Sequence, residues 1–243
     1  MSRRRVLLFS AVVLLLAGIA DWMLTMPLTT RQGVNYRQTT RSIPAYVKAL
    51  DFVQRHFQYR LLASDICAGL NSSQDCMLAI FRWTGANIRP TPDGWPVIDD
   101  HVLHVIIRGH GKDDQMADVF TTLSTYAGIP AFWMLLKDPN DGTYFMLSFA
   151  RLQDGWIPLD VERQLVFRAK NGRLATVGDL LGDPRLIQAG MNGRPEADRY
   201  LRFISKDFLD PFVVPEPLRA ELHQPWQRSK YELGLATGLR SAR

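Results

Sequence analysis

The longest apolar stretch of the chain lies at its N-terminus. Three arginines, Arg3 to Arg5, precede an unbroken run of apolar or small residues from Val6 to Ala20. Such a run after a basic cluster is typical of a signal peptide, whereas extension to Met26 gives about 21 residues, enough to cross a bilayer. The pattern favours a membrane anchor over residues 1–27, with a signal peptide as the alternative. In both cases the rest of the chain is predicted to lie outside the cytoplasm.

Beyond the apolar run, the pattern predicts a polar stalk followed by helices. Residues 28–42 are rich in Thr, Arg and Gln and show no apolar period. From Ile43 to Arg60 apolar residues recur at helical spacing. A second helix is predicted to begin with a cap at Ser72 or Ser73 and to end near Gly85.

The middle of the chain combines one amphipathic helix with three strand-like runs. The helix is predicted from Asp114 to Ala127, where Gly128 ends it. The apolar runs Ala131–Leu136, Tyr144–Leu152 and Trp156–Asp160 are separated by turn signals, which predicts an antiparallel meander. Helices followed by an antiparallel sheet indicate an α+β domain.

The C-terminal third alternates short helical patterns with Gly and Pro. Helices are predicted around Val177–Leu181 and Ala197–Lys206, and the segment 210–225, with four prolines, is predicted to be irregular. We therefore divide the chain into an anchor, a stalk, a core and a helical, Pro-rich extension. Their ranges are 1–27, 28–42, 43–168 and 169–243.

Composition narrows the class of protein. With 243 residues, 47% hydrophobic and 22% charged, the chain has the composition of one globular domain. Its net charge of +5 comes from the two ends, since residues 1–27 contribute +2 and the last sixteen contribute +3. A near-neutral middle argues against nucleic-acid binding, which needs basic residues on the folded body.

Two cysteines, Cys67 and Cys76, are the only ones in the sequence. Outside the cytoplasm this pair, nine residues apart, is a candidate disulfide, and two buried thiols are the alternative. Their spacing does not match a C-x-x-C motif, so neither a zinc site nor a thioredoxin-like site is predicted.

One motif resembles a known family. Gly111, Gln115, Ala117 and the turn Gly128-Ile129-Pro130-Ala131 are similar to the core motif of the transglutaminase-like superfamily. The resemblance covers roughly residues 45–165 and implies a papain-like core. In active members a Cys at a helix start attacks an amide or peptide carbonyl, a His acts as its base and an Asp orients the His.

The resemblance implies that the catalytic residues are replaced here. The Cys position, two residues after Gly111, holds Asp113. Counting back from the Trp156 to Asp160 ending places the His at Tyr144 or Phe145, and the sequence has no His between His110 and His223. Of the triad-equivalent positions Asp113, Tyr144, Phe145 and Asp160, only Asp160 keeps its residue type.

Each remaining carboxylate has two interpretations. Asp113 is either a helix cap, which the helix dipole favours, or a nucleophile, which would need a partner acid or metal. Asp160 has no imidazole to orient and is predicted to be a hairpin or capping residue.

Histidines and acids near the motif form a second candidate site. The set could hold a metal only if the segment 101–107 is helical, and its apolar residues look at least as much like a strand, which would point His101 and His104 to opposite faces. We therefore predict no metal and no cofactor. The full set is His101, His104, His110, Asp99, Asp100, Asp113 and Asp114.

Several residues near the motif are candidates for ligand binding, with ordinary surface or core roles as the alternative. Charged groups at the site could attract an anionic ligand, and aromatic residues on the sheet could stack on a sugar or a peptide. The candidates are Lys112, Asp114, Arg108 and Trp156, with Tyr144 or Phe145 lining the former cleft.

The sequence thus predicts a transglutaminase-like pseudoenzyme in the inner membrane, crossing it once, with its domain in the periplasm. Its predicted role is to bind a protein, peptide or glycan during envelope or polysaccharide assembly. One alternative is a hydrolase or transferase of altered chemistry that uses Asp113, Asp114 and His101 or His104, possibly with a metal. Another is a purely structural assembly subunit.

Overall fold

The structure is a computed structural model that describes residues 3–34, 37–97, 101–191 and 194–239. The chain forms two compact units. The first contains residues 1–55 and 98–100, and the second contains residues 56–97 and 101–243. Asp99 and Asp100 of the candidate metal set lie outside the described residues.

The first unit begins with a long apolar helix, α1 (Arg3–Thr25). Its 23 residues are long enough to cross a membrane, and its most apolar window has a mean hydropathy of 2.3 with no buried residue. A membrane anchor and a cleaved signal sequence share this length and composition. The apolar helix predicted from the sequence is therefore present, and its topology stays a prediction.

The segment predicted as a polar stalk is a β-hairpin. Strands β1 (Pro27–Val34) and β2 (Arg37–Pro44) pair antiparallel, from Pro27 opposite Pro44 to Val34 opposite Arg37. Threonine favours extended backbone because its branched Cβ restricts χ1. Helix α2 (Ala45–Ile66) follows directly.

The second unit opens with the end of α2 and with α3 (Ser73–Asn87). Ser72 caps α3 as predicted, since its hydroxyl oxygen accepts a 3.0 Å hydrogen bond from the Asp75 N–H. Cys67 and Cys76 form a disulfide with their Cα atoms 4.9 Å apart, which confirms the predicted candidate pair. The bond ties the loop after α2 to the first turn of α3.

The segment 102–108, for which a strand looked at least as plausible as a helix, is helical. Helix α4 (Val102–Arg108) buries Val102 and Val105 on one side. The Tyr59 hydroxyl accepts a 3.0 Å hydrogen bond from the Leu103 N–H, and Gly109, with φ of 69°, ends the helix. Short strands β3 (Arg89–Pro90) and β4 (His110–Gly111) pair in parallel on either side of α4 in the sequence.

The predicted central helix and meander are present. Helix α5 (Asp113–Tyr126) is followed by Gly128, whose φ of 80° suits glycine. Strands β5 (Ala131–Lys137), β6 (Tyr144–Leu152) and β7 (Gly155–Asp160) pair antiparallel in sequence order. A short fourth strand, β8 (Leu165–Val166), pairs with β7 and is an addition to the prediction.

Short helices make up much of the rest of the chain. A 3-10 helix, Arg219–His223, lies in the Pro-rich segment predicted to be irregular. The α-helices are α6 (Val177–Gly182), α7 (Arg185–Met191), α8 (Ala197–Phe203), α9 (Lys206–Leu209) and α10 (Pro225–Ala236).

The four-stranded sheet has a hydrophobic cluster on each face. The first cluster packs α3, α4 and α5 against one face and includes Phe120, Leu123 and Ile157. The second cluster packs α6 to α9 against the other face and includes Phe145, Phe149 and Tyr200. Helices from after position 168 therefore cover one face of a sheet whose strands all come before it.

Candidate functional site

Asp113 is the first residue of α5, and the capping position before it is occupied by Lys112. The prediction of Asp113 as the cap itself is therefore wrong by one residue. Asp113 still stabilises the helix start, because its Oδ1 accepts a 2.9 Å hydrogen bond from the Asp114 N–H and its charge faces the positive end of the helix dipole. The carboxylate is half-buried.

The motif glycine is required by close packing. A Cβ on Gly111 would lie 3.0 Å from the Gln115 Cβ and 3.1 Å from the Val105 Cγ1. The Gln115 side chain accepts hydrogen bonds from the Lys112 N–H at 3.1 Å and from the Arg108 Nη2 at 3.0 Å. Arg108, predicted as a ligand-binding residue, thus fixes the residue that holds the start of α5.

Asp113 and Asp160 meet at one small recess. The recess has a volume of about 10 Å³, which is room for about one water molecule. Among the described residues that line it there is neither a Cys nor a His. They are Asp113, Ala117, Met146, Ser148, Asp160, Val161, Glu162 and Arg163.

The strand position that faces Asp113 differs from the one obtained by counting along the sequence. Successive residues of a strand point to opposite faces. Phe145 belongs to the second cluster, where its ring lies 4.8 Å from that of Tyr200, so it faces away from α5. Met146 and Ser148 line the recess instead. Tyr144 is 51% exposed and lies near the start of β6.

Ser148 is a polar residue of the recess that the sequence did not single out. Its side chain is 1% exposed, and within the described residues its hydroxyl has no hydrogen-bond partner. Strand alternation from Ala150, which packs in the first cluster, could have placed Ser148 on the face of α5.

Asp160 is buried and fully engaged. Its Oδ1 accepts a 2.9 Å hydrogen bond from the Arg163 N–H, which confirms a role in the turn after β7. Its Oδ2 accepts a 2.6 Å bond from the Tyr200 hydroxyl and a 3.3 Å bond from the Arg163 Nη1. No sequence pattern relates Asp160 to Tyr200, which lies forty residues later on α8.

Burial shapes the acid–base properties of the recess. Burial raises the pKa of the Glu162 carboxyl, and the negative charges of Asp160 and Asp113 add to the rise while Arg163 opposes it. Burial, with the Asp160 carboxylate, also raises the pKa of the Tyr200 hydroxyl well above its ordinary value. A carboxyl with a raised pKa therefore lines the same recess as Asp113.

The predicted ligand-binding residues do not converge. Lys112 and Asp114 are exposed at the start of α5, and Asp114 accepts a 2.9 Å hydrogen bond from the Gln115 N–H. Trp156 packs with the second cluster, its ring 5.0 Å from that of Phe132. The predicted set therefore does not form one pocket with Asp113.

The described members of the candidate metal set do not assemble into a metal site. His101 and His104 lie on the same side of the start of α4, with ring centroids 5.8 Å apart. Neither lines the recess beside Asp113. Within residues 3–34, 37–97, 101–191 and 194–239, no group of three or more His, Cys, Asp or Glu could hold a metal ion.

Comparisons with known proteins find distant structural similarity. No family model and no curated protein matches the sequence. The crystal structure of a candidate cysteine protease from Cytophaga hutchinsonii has a TM-score of 0.40 and 19% identity, over 51% of this chain and 44% of that one.

A candidate protease from Parabacteroides distasonis has a TM-score of 0.34 and 11% identity, over 61% of this chain and 40% of that one. In each of these two proteases, the matched part is less than half of the protein's own length. Similarity at this level assigns no activity to the chain.

Proposed function

We propose that this chain is a non-catalytic binding or scaffolding protein of the bacterial envelope, built on a degenerate transglutaminase-like core. The observation that carries the proposal is the recess where Asp113 and Asp160 meet. Its lining, in the part of the chain that the structure describes, contains neither Cys nor His, and its volume is about 10 Å³.

Cysteine-based catalysis needs groups that are absent from the recess lining. A thiolate at a helix start is the nucleophile in such enzymes, and an imidazole activates it. Here the helix start carries Asp113, and the strand facing it carries Met146 and Ser148. Asp160, whose role in active members is to orient the His, is engaged by Tyr200 and Arg163.

One observation favours the alternative of altered chemistry. Glu162, with its raised pKa, and Asp113 are two carboxyl groups on one recess, and such a pair can divide the roles of acid and nucleophile. The size of the recess opposes this alternative, because ligand pockets usually have volumes of about 300–1,000 Å³. The version that uses His101 or His104 lacks support, because neither residue lines the recess.

The envelope location follows from the N-terminal pattern. Helix α1 begins with three arginines, and a basic cluster beside a membrane span usually stays on the cytoplasmic side. We propose a single-pass inner-membrane protein with the second unit in the periplasm, where the Cys67–Cys76 disulfide is favoured. Protease protection in spheroplasts and sequencing of the mature N-terminus test this topology.

The absence of catalytic activity is tested with the full chain purified in detergent. The assays measure the release of new amines from casein and of ammonia from a glutamine-containing peptide. We expect the wild type and Asp113→Asn to give the same background rate, with Asp114→Asn as the matched control. Turnover that Asp113→Asn or Glu162→Gln removes, and Asp114→Asn keeps, would show that the protein is an enzyme.

A further inference from the structure

A larger groove lies at the opposite end of α5 from Asp113. Gly128 and Ile129, directly after this helix, line it together with the β6–β7 turn and the start of α3. Its volume is about 480 Å³, within the range of ligand pockets. Because α5 has 14 residues, this end lies about 20 Å from Asp113. The groove is therefore separate from the recess.

The floor and the rim of the groove differ in chemistry. The floor includes the partly exposed aliphatic side chain of Leu152, together with the buried residues Ile129, Ile157 and Leu174. The rim carries exposed amide side chains, and within the described part of the chain they have no hydrogen-bond partner. These amides are Asn71, Gln74 and Gln153.

The disulfide holds one wall of the groove. Residues 71–74, which form that wall, lie inside the loop closed by Cys67 and Cys76. Two hydrogen bonds between Ser72 and Asp75, at 2.6 and 3.0 Å, fix the same turn. A wall that is ordered before binding lowers the entropic cost of taking up a ligand.

The chemistry of the groove selects its ligand. An aliphatic floor accommodates an aliphatic side chain, and primary amides can both donate to and accept from peptide groups. Arg151 and Asp154 place opposite charges on the rim, so the groove favours no single sign of charge. The described lining includes no aromatic ring, the usual stacking surface for a sugar.

We propose that this groove binds an extended peptide segment of a partner protein, with an aliphatic side chain of the segment on Leu152. The inference rests on the proposed binding role, and it is independent of the chemistry at Asp113. The proposed partner is an unfolded or loop segment in the envelope, presented without a strong net charge.

The probe is a library of fluorescein-labelled hexapeptides with leucine fixed at the third position and no net charge. Binding to the full chain in detergent is followed by fluorescence anisotropy. We expect Gln153→Ala to lower the affinity for the best-binding peptide at least fivefold. We expect Ser73→Trp, which fills the groove, to abolish binding. Gln188→Ala and Gln188→Trp, on the exposed side of α7, are matched controls and should leave binding unchanged.

Two further measurements make the test decisive. Reduction of the Cys67–Cys76 disulfide should lower the affinity for the peptide severalfold, because the wall that carries residues 71–74 loosens. Asp113→Asn should leave the affinity unchanged, so a failure of the non-catalytic proposal and a failure of the groove proposal are distinguishable.

The proposal is overturned if no peptide distinguishes the wild type from Ser73→Trp. It is also overturned if the wild type binds a labelled N-acetylglucosamine tetramer instead of a peptide and Ser73→Trp does not bind that tetramer. Unchanged melting temperatures of Ser73→Trp and Gln188→Trp show that loss of binding is not loss of fold.

Discussion

The Tyr200 hydroxyl donates a 2.6 Å hydrogen bond to Oδ2 of Asp160. Both side chains are buried, and the bond joins α8 of the C-terminal segment to the end of β7. The same carboxylate also accepts hydrogen bonds from the backbone N–H and the guanidinium of Arg163, so a tyrosine and an arginine hold it in place.

We expect this contact to make the protein sensitive to alkali. The folded pKa of Tyr200 is raised by burial and by Asp160, whereas in the unfolded chain it is about 10. Above pH 10 the unfolded chain therefore binds fewer protons, and stability falls as pH rises, by up to about 1.4 kcal/mol per pH unit. Chemical denaturation between pH 8 and 12 measures this slope.

The free energy of unfolding of the Tyr200→Phe variant should be about 1–2 kcal/mol lower at neutral pH, because the Asp160 oxygen loses a hydrogen-bond donor. Its stability should then fall less steeply than that of the wild type above pH 10. Tyr144→Phe is the control, since Tyr144 is 51% exposed. Equal slopes for the wild type and Tyr200→Phe would contradict the assignment.

An acid-sensitive contact is predicted at the start of α6. Arg173 donates two 2.8 Å hydrogen bonds to Asp179, whose pKa is thereby lowered to about 2, with further donors from Thr176. The Asp179 side chain is 25% exposed, so solvent screens the pair only in part. This contribution is present above the unfolded pKa of 3.8 and is lost as pH falls towards 2.

We expect Asp179→Asn to lower the free energy of unfolding by about 2 kcal/mol at pH 6. The fall in stability between pH 4 and 2 should then be less steep than in the wild type. Asp207→Asn, on the exposed side of α9, is the matched control. Urea denaturation at each pH gives the two curves. The same acid slope in the wild type and Asp179→Asn would exclude this carboxylate as its source.

A side chain in place of Gly85 is predicted to destabilise the fold. A Cβ there would lie 2.2 Å from the Gln164 side chain, which donates hydrogen bonds to the carbonyls of Phe81 at 3.1 Å and Val161 at 2.8 Å. Gly85→Ala must displace this side chain, at a cost of about 2 kcal/mol for two lost hydrogen bonds.

A double-mutant cycle tests the cause of that loss. With Gln164→Ala already present, Gly85→Ala should cost little, because the obstructing carboxamide is gone. If the losses of stability in the two single variants add up in the double variant, the contact between residue 85 and Gln164 is not the cause of the loss. Thermal denaturation of the four proteins under identical conditions supplies the comparison.

The disulfide is predicted to stabilise the second unit by about 2–3 kcal/mol, because it closes a short loop in the unfolded chain. The loop spans the nine-residue separation between Cys67 and Cys76. The double variant Cys67→Ser/Cys76→Ser should unfold at correspondingly lower urea concentration. A reducing agent should shift the wild type equally and leave the double variant unchanged.

Sequence reasoning succeeded where local pattern determines structure. The central helix and the three main strands were predicted within a few residues, because helical periodicity, the Gly128 stop and the turn signals all agree. The Ser72 cap and the Cys67–Cys76 pair were also local features. The motif predicted the place of Asp113 within one residue of its helix boundary.

Sequence reasoning failed where contacts are distant in the chain. The segment 102–108 contains several β-branched residues, and it is helical because Val102 and Val105 pack against the first cluster. The strand residue facing Asp113 could not be counted reliably, since a shift of one residue reverses the face. The link from Asp160 to Tyr200 follows only from the packing of α8 on the sheet.

The two-sided sheet sets the minimum length of a chain that can fold. The core predicted from the sequence ends at position 168, yet Phe132, Phe145 and Phe149 are buried by residues that come later. A chain ending at that position would present these rings to water and would be prone to aggregate. The cooperative folding unit must therefore extend at least to Leu218, the last buried member of the second cluster.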